Sequence, residues 1–508
     1  MSAVGFDFRN ERCVVAVAKH TGIVYIDEEQ DFLGTNGSGT RKKYPESSIS
    51  LIMRWIIGRP FSDPELQQYL KALPFSVTEG PDGFPLIHAR YGEETRSFTS
   101  IEIMGMVFSN MKRLAENMSN APVVDCCIGI PVYFTYLQRS AVLEAAKIVG
   151  LNPLRLMHET TATALAYGIY KTGLFEDVHR NVAFVDIGHA SMQVCIANYK
   201  KGEMKILAHS FDRCLVGRGF DEVLYQHFAA KFKADYEIDV FQNAYAGIQL
   251  RDACEKLKEE LRSNPEALLY IECLIDMNYV RCFIKRDEFK QISSSILERL
   301  KKPLEKALSE AKILLADIYA VEVVGSDSWL IRILTDYFGK KPRNTMNASE
   351  CVSKGCALEC AIFSPNFKVR DFQVNEILPF SIALQWKGFS SMQRYYGEKE
   401  NLRSCIVFPI GNPIPSVKSH TFYVSGTFSL EVQYAYATEM QAPAEISTFT
   451  VKVAQIFKIG PFMSTKYVRP VIKVEVEVGL NLDGCVSVNS AKYPDHLKWG
   501  KWRLCVRV

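Results

Sequence analysis

One short pattern occurs twice, in separate halves of this 508-residue chain, and it limits the possible folds more than any other feature. Residues 4–7 form an apolar run that ends in an aspartate, and a second apolar run follows at residues 13–18 after a polar turn. Residues 182–186 end in an aspartate in the same way, and they precede another apolar run at residues 193–197. Two strand–aspartate–turn–strand units in separate halves predict an internal duplication.

Between the two units, predicted strands alternate with predicted helices. Thr99 and Glu102 have the spacing of a capping box that opens a helix. Residues 123–131 are typical of a buried strand, and residues 137–149 are typical of a helix that ends at Gly150. Strands that alternate with helices predict an α/β fold.

The pattern changes near residue 366, where helical periodicity gives way to alternating apolar and polar residues, as at residues 472–478. Asp483 and Gly484 then predict a type I′ hairpin. The predicted parts are an α/β domain over residues 1–366, a linker over 367–375, an antiparallel β-sandwich over 376–490 and a tail over 491–508.

Composition and charge argue against a nucleic-acid or membrane partner. The chain has 60 basic and 57 acidic side chains, a net charge of +3, and no basic stripe. No apolar run approaches the roughly 18 residues of a membrane-spanning helix, and Arg9, Glu11 and Arg12 interrupt the place of a secretory signal. The 14 cysteines lack the spacing of a disulfide framework. We therefore expect reduced thiols and a cytoplasmic or nuclear protein.

Two aspartate-ended hairpins that face one cleft could bind a nucleotide. Their turns would offer backbone N–H groups to phosphates, and Asp7 and Asp186 would hold Mg²⁺ through its water shell. Such turns need glycine for close approach of the main chain, but residues 8–11 contain none, and the second turn keeps only Gly188. Spacing alone therefore leaves nucleotide binding and two ordinary core hairpins as open alternatives.

Longer motifs resemble the heat-shock Hsp70 superfamily closely. They are residues 125–134, 150–157 and 159–168, and residues 184–189 resemble the Hsp110 branch, in which histidine replaces a family glycine. The resemblance covers nearly the whole chain. It implies a duplicated actin-like (ribonuclease H-like) ATPase domain followed by an antiparallel β-sandwich, with ATP or ADP and Mg²⁺ as cofactors.

The resemblance also implies roles for individual residues. It puts Glu159, Arg54 and Asp186 at catalytic positions, Asp7 and Asp186 at the water-mediated metal positions, and Pro131 and Arg139 in a relay between domains. The cofactor-binding positions that it implies are Asp7, Arg9, Asn10, Gly188, His189, Ser191, Gly217, Glu255, Lys258, Gly325 and Ser328.

Several of these positions depart from the family pattern. Arg9 and Asn10 replace residues of a glycine-containing phosphate loop, and Gln193 replaces a metal-associated aspartate. Arg54 replaces a catalytic lysine, whose compact ammonium a planar guanidinium cannot mimic. Because phosphoryl transfer depends on positioning and charge stabilisation, we expect at most weak ATP hydrolysis.

Three functions follow from the resemblance and its departures. The first is an ATP-binding co-chaperone of the Hsp110 type, which promotes nucleotide exchange on an Hsp70 chaperone and holds unfolded polypeptide. The second is a slow ATPase chaperone of the Hsp70 type, and the third is a degenerate form with impaired nucleotide binding. No helical lid follows residue 490, so we expect captured peptide to leave quickly.

Other chemistry-bearing residues have ordinary structural explanations. His158 could be a base or a locally satisfied histidine at a helix start, and Trp329 could stack on adenine or fill a hole. The spacing of Cys351, Cys356 and Cys360 favours a buried helical face over a metal site. The basic and aromatic tail around Trp499 and Trp502 is interpreted as a terminus and not as a binding motif.

Overall fold

The computed structural model describes most of the chain. The described residues are 3–8, 12–19, 22–29, 53–70, 73, 75–91, 94–171, 178–188, 191–213, 215, 217–272, 274, 279–325, 328–365, 367, 369, 372–391, 399–437, 443–453 and 471–492. They contain both helices and several separate sheets, which confirms the predicted mixture of α and β structure.

Contacts between Cα atoms divide the chain into two compact units. The first unit consists of Met1–Ser62, Leu66–Tyr133 and Val142–Val374, and the second consists of Asp63–Glu65, Phe134–Ala141 and Asn375–Val508. The second unit therefore includes two short segments from the N-terminal half as well as the β-rich C-terminal part.

A mixed five-stranded sheet contains the first aspartate-ended strand. Its strands are β1 (Ala3–Phe8), β2 (Arg12–Lys19), β3 (Gly22–Glu29), β7 (Asp125–Ile130) and β8 (Asn152–His158). In the order β3-β2-β1-β7-β8, the first three strands are antiparallel, and β7 and β8 run parallel to β1. All six residues of β1 are buried, as the apolar run predicts.

The same strand order recurs around the second aspartate. The strands are β9 (Arg180–Ile187), β10 (Met192–Lys200), β11 (Glu203–Asp212) and β14 (Ile318–Val324). β9, β10 and β11 form an antiparallel meander, and β14 pairs with β9 in parallel, as β7 pairs with β1. Each aspartate thus lies near the end of the first strand of a three-stranded meander, beside a parallel strand.

Two smaller antiparallel sheets complete the strands of the first unit. They are β4 (Ser76–Glu79) with β5 (Pro85–Tyr91) and β6 (Glu94–Thr99), and β12 (Glu266–Ile271) with β13 (Val280–Lys285). One face of the β12–β13 hairpin is buried in an apolar core, to which Leu269, Cys282 and Ile284 contribute.

The described helices alternate with these strands, as predicted. In chain order they are α1 (Met53–Ile56), α2 (Pro64–Leu70), α3 (Ser100–Ser119), α4 (Tyr136–Ile148), α5 (Glu159–Tyr170), α6 (Gly217–Tyr236), α7 (Ala244–Ser263), α8 (Arg286–Ile292), α9 (Ser294–Arg299), α10 (Lys301–Ala311), α11 (Ser328–Phe338) and α12 (Cys351–Phe363). The capping box at the start of α3 is confirmed, since the Thr99 side chain accepts from the Glu102 N–H and the Glu102 carboxylate accepts from the Thr99 N–H.

Helix α12 lies against β1 and α5 at van der Waals distance, and glycines permit this approach. A Cβ atom on Gly5 would lie 2.1 Å from the Ser353 carbonyl oxygen, and one on Gly355 would lie 2.0 Å from the Ala162 carbonyl oxygen. Non-bonded Cβ atoms essentially never lie within 3.0 Å of another atom, so only glycine fits at either position. The cysteines of α12 are buried, in agreement with a packed helical face.

The second unit is rich in antiparallel strands. They are β15 (Gln373–Ile377), β16 (Ile382–Gly388), β17 (Asn401–Phe408), β18 (Pro413–Ile414), β19 (Ser416–Val424), β20 (Phe428–Tyr434), β21 (Glu445–Val451), β22 (Ile472–Leu480) and β23 (Val486–Lys492). One sheet has the order β17-β16-β20-β21 and another the order β19-β22-β23. The Trp386 ring of the first sheet meets the Phe422 ring of the second edge-on, with ring centroids 4.8 Å apart.

The hairpin between β22 and β23 exists, but its predicted turn type is wrong. A type I′ turn needs positive φ at both central residues. Gly484 has φ +72°, whereas Asp483 is not among the described residues with positive φ. The Gly484 N–H donates to the Asn481 carbonyl, and the Asn481 side-chain oxygen accepts from the Asp483 N–H, so Asn481 stabilises the turn from outside the predicted two-residue motif.

Eleven cysteines lie in the described residues, and each of them is a free thiol. Nine are buried, including Cys126, Cys127 and Cys356, and burial raises the pKa of these three thiols well above its usual value. Among the described residues, no helix combines the length and apolar character needed to cross a membrane.

Candidate functional site

Asp7 is the first residue of the candidate site and lies in the first sheet. It is the fifth residue of β1, it is fully buried, and it lies opposite Val14 of β2 and Gly129 of β7. A buried carboxylate is costly unless it is paired, so its neighbours determine what the site can do.

Arg54 of α1 supplies the positive charge beside Asp7. Its Nη2 atom lies 3.4 Å from Asp7 Oδ1 and also forms an ion pair with Glu159 Oε1. Its Nε atom donates to the Phe8 carbonyl over 2.6 Å. One guanidinium therefore connects two buried carboxylates and the end of β1, a geometry that the planar fork of arginine allows.

Glu159 is the first residue of α5, and its side chain is also buried. Its second oxygen, Oε2, accepts a 2.7 Å hydrogen bond from Gln193 Nε2. Gln193 Oε1 in turn accepts a 2.7 Å hydrogen bond from the Val132 N–H, just after β7. Gln193 thus connects strand β10 to the two elements that carry Glu159 and Val132.

Asp186 lies directly opposite Gln193 in the β9–β10 pair, so both side chains lie on one face of the second sheet. Asp186 is largely buried and also lies opposite Val324 of β14. Gln193, which pairs with Asp186 across the two strands, donates a hydrogen bond to Glu159. Glu159 forms an ion pair with Arg54, and Arg54 forms an ion pair with Asp7. The two aspartates that the sequence singled out are therefore the two ends of one series of neighbouring polar residues.

Tyr133 belongs to the same site, although sequence analysis did not assign it a role. Burial raises the pKa of its phenol, and the charges of Arg54 and Glu159 and a hydrogen bond with Ser191 act on it as well. Ser191, one of the predicted cofactor-binding residues, thus lies beside this cluster, and it is buried. The signal that could have found Tyr133 is its place two residues after Pro131, within the motif that ends β7.

Several predicted cofactor-binding residues form a second cluster in the first unit. Lys258 Nζ contacts Asp221 at 2.7 Å and donates to the Gly217 carbonyl at 3.3 Å. The Gly217 N–H donates to the Gly188 carbonyl at 3.4 Å, and so α6 begins beside the turn that follows β9. Asp221 was not predicted, and its spacing four residues after Gly217 is the signal that could have found it.

Gly325 lies against the same turn. It has φ +61°, and a Cβ atom there would be 3.0 Å from the Ile187 carbonyl oxygen, so a side chain would be strained and crowded. Glu255 is half-buried on α7, the helix that carries Lys258, and Ser328 is the first residue of α11. Gly325 therefore allows the main chain after β14 to lie close to the end of β9 at this end of the sheet.

Three predicted residues lie outside the described part of the chain: Arg9, Asn10 and His189. The two relay residues lie in different units. Pro131 is buried in the first unit. Arg139 belongs to the second, where its Nη1 donates to the Asp483 carbonyl at 2.8 Å and burial lowers the pKa of its guanidinium.

The chemical groups at this site are of the kinds that bind a nucleotide and a divalent ion. Carboxylate oxygens such as those of Asp7 and Asp186 are the donors that Mg²⁺ prefers in proteins. Gly325, which has no side chain in the way, is a position where a ligand could approach the main chain closely. However, Asp7 and Glu159 share one guanidinium already, so the site neutralises much of its own charge.

Comparison with known proteins identifies the family to which the chain belongs. The Hsp70 protein family matches residues 22–498. Heat shock 70 kDa protein 14 of Arabidopsis thaliana is 60% identical over 509 residues, which cover 97% of this chain and 60% of that protein. Heat shock 70 kDa protein 16 of the same plant is 44% identical over 519 residues, covering 98% of this chain and 66% of that protein.

A human relative extends the similarity beyond plants. Heat shock 70 kDa protein 4L of Homo sapiens is 38% identical over 512 residues, covering 97% of this chain and 59% of that protein. The chain thus spans about 60% of the length of several of the relatives that it matches. From the family match and these relatives, the chain belongs to the Hsp70 family, in the Hsp110-like branch that its motifs predict.

Proposed function

We propose that this chain is an ATP- or ADP-binding co-chaperone of the Hsp110 type. In this proposal the first unit has an actin-like architecture and holds nucleotide with little turnover. The protein promotes nucleotide exchange on a partner Hsp70 chaperone and holds extended or unfolded polypeptide in the cytoplasm or nucleus. Members of the Hsp70 family bind nucleotide, and membership of that family is the starting point for the proposal.

The observation that carries the proposal is that the predicted catalytic residues already form ion pairs and hydrogen bonds with one another or with neighbouring side chains. Arg54 bridges Asp7 and Glu159, and Gln193 occupies the second oxygen of Glu159. Phosphoryl transfer needs one group that orients the attacking water, and it needs cations that neutralise the negative charge that develops on the phosphoryl oxygens. Here the carboxylate and the cation neutralise each other, which favours binding over hydrolysis.

Mg²⁺ would be held through its water shell by Asp7 and Asp186, and it would supply charge stabilisation for the phosphates. The protein's own contributions are separate from that ion. Gly325 would let main-chain atoms approach the ligand, and Lys258 with Asp221 fixes the start of α6 at the edge of the site. Bound nucleotide would then stabilise one arrangement of the residues around it.

In this proposal, extended polypeptide would bind to an edge strand of the second unit. Strand β17 is at the end of its sheet's strand order, and its side chains Leu402 and Ile406 are exposed. An edge strand with exposed apolar side chains suits strand-like pairing with an extended chain. This supports the part of the proposal that concerns unfolded protein.

Release of labelled ADP from a purified Hsp70 chaperone tests the exchange activity. We expect stoichiometric amounts of this protein to accelerate release, because a partner that stabilises the open state of the chaperone lowers the barrier to dissociation. Heat-denatured samples of the same protein serve as the unfolded control. Unchanged release at equal concentrations would remove exchange activity from the proposal.

Two further measurements separate the alternative functions. Single-turnover ATP hydrolysis, with and without a J-domain partner, tests the slow ATPase of the Hsp70 type, for which we expect little stimulation. Calorimetric titration with Mg-ATP tests the degenerate form, and heat of binding with a defined stoichiometry would exclude it.

A further inference from the structure

Gln193 joins elements that belong to different sheets. It lies on β10 of the second sheet, and its side chain is buried. Its Nε2 donates to Glu159 Oε2 over 2.7 Å, and its Oε1 accepts from the Val132 N–H over 2.7 Å. Val132 follows β7 of the first sheet, and Glu159 begins the helix after β8.

Both groups that Gln193 contacts are buried polar groups that need hydrogen-bond partners. The backbone N–H of Val132 is buried and needs an acceptor, and the carboxylate of Glu159 is buried and needs donors. The amide of Gln193 donates to the carboxylate and accepts from the backbone N–H at once. A carboxylate at this position could serve Val132 but would repel Glu159.

The contact also determines what Glu159 can reach. One of its oxygens forms an ion pair with Arg54 and the other accepts from Gln193. A carboxylate orients or deprotonates a water only when the water lies within hydrogen-bond reach of its oxygen. To turn toward such a water, Glu159 would have to give up a buried charge-assisted contact, which is expensive in a low-dielectric site.

We propose that Gln193 is a positioning residue that holds Glu159 Oε2, while Arg54 pairs with Oε1, and that connects the two sheets, so that this chain retains bound nucleotide and does not turn it over. The inference rests on the proposed nucleotide binding and adds to it the residue that sets the rate of release. Gln193 acts through Glu159 and Val132 and need not touch the nucleotide.

The first test compares ADP release from the purified full chain and from two variants. Gln193→Ala removes both buried hydrogen bonds, and we expect release to become about tenfold faster or more, since each tenfold corresponds to about 1.4 kcal/mol. Gln226→Ala is the matched control, because Gln226 Nε2 makes a hydrogen bond of the same 2.7 Å length to Glu222 on an exposed surface. We expect the control to release ADP at the unchanged rate.

The second test uses pH to separate positioning from a general loss of packing. In Gln193→Glu the new carboxyl group has the same shape as the amide. When ionised it repels Glu159, and when protonated it can donate to Glu159 Oε2 as the amide does. We therefore expect ADP release from Gln193→Glu to slow as the pH falls from about 8 to about 5.5, toward the rate of the unsubstituted chain. We expect no such trend in Gln193→Ala.

The thermal stability of the nucleotide-free protein is measured on the same variants and pH values. Two outcomes would overturn the role of Gln193. One is ADP release from Gln193→Ala at the rate of the unsubstituted chain. The other is a Gln193→Glu variant whose ADP release and melting temperature equal those of the unsubstituted chain at every pH. Failure of the unchanged chain to bind ADP would instead reject the proposed nucleotide binding, and the role of Gln193 in retention would fall with it.

Discussion

Arg54 and Glu159 form an ion pair in which both side chains are more than nine-tenths buried. The same guanidinium also reaches Asp7 and the Phe8 carbonyl. A buried ion pair gains little over an apolar core, but loss of one partner leaves an uncompensated charge. The pair therefore makes the stability of the first unit sensitive to a residue that belongs to the candidate site.

Removal of the Arg54 side chain should destabilise the protein strongly. Arg54→Ala leaves Asp7 and Glu159 buried without their shared cation, and we expect a loss of about 3–5 kcal/mol in the free energy of unfolding. Arg54→Lys should lose less, because it keeps the charge but not the fork. Urea denaturation measures both.

The control for Arg54 is an exposed arginine that also forms an ion pair. Arg262 lies 2.6 Å from Glu259, and both side chains are exposed. Arg262→Ala should change stability by less than about 0.5 kcal/mol. Equal losses of stability in the two alanine variants would show that Arg54 does not compensate the buried charges of Asp7 and Glu159.

Gly355→Ala should be destabilising, although alanine favours helices. The added methyl carbon would lie 2.0 Å from the Ala162 carbonyl oxygen, so α12 and α5 would have to separate. We expect a loss of about 2 kcal/mol or more. Gly105→Ala in α3, where the nearest atom is 3.7 Å away, should be neutral or stabilising by up to about 1 kcal/mol. Thermal denaturation of both variants makes the comparison.

Lys258 should matter for nucleotide affinity. It is buried and contacts both Asp221 and the Gly217 carbonyl at the start of α6. Lys258→Met keeps the apolar stem but removes the charge, and we expect ADP affinity to fall by about tenfold, or roughly 1.4 kcal/mol. Calorimetry measures this, with Lys256→Met on the exposed side of the same helix as control. Equal affinities of the two variants would contradict the role of Lys258.

The stability of the second unit should fall in alkaline solution. Burial raises the pKa of the Cys485 thiol to about 11, from 9.0 for an exposed thiol. The unfolded chain loses this proton at lower pH than the folded one, so the contribution to stability is present below about pH 9 and is lost as the pH rises toward 11. The expected loss between pH 8 and pH 10.5 is about 1–2 kcal/mol.

Denaturation of the Cys485→Ala variant at the same two pH values isolates this contribution. We expect a smaller decrease in stability than in the unchanged chain. An identical decrease in both proteins would mean that Cys485 does not carry the effect.

Local sequence patterns predicted many elements well because their causes are local. The capping box of Thr99 and Glu102 depends on residues three apart, and the helix that stops before Gly150, which has φ +70°, depends on one residue's backbone freedom. The turn at Asp483 was misjudged because Asn481, a neighbour outside the two-residue motif, stabilises the turn. Turn type depends on which nearby side chain bonds the main chain.

The sequence by itself determined the family, the mixture of helices and strands, and the two aspartates at the ends of β1 and β9, because these depend on periodicity and on motifs of adjacent residues. Only the tertiary structure decided that Arg54 would bridge Asp7 and Glu159, and that Gln193 would connect Glu159 with Val132. Gln193 is 34 positions from Glu159 and 61 from Val132, so no local pattern joins them. Burial makes such contacts obligatory, since each charged or polar group removed from water must find its partner wherever the fold brings one.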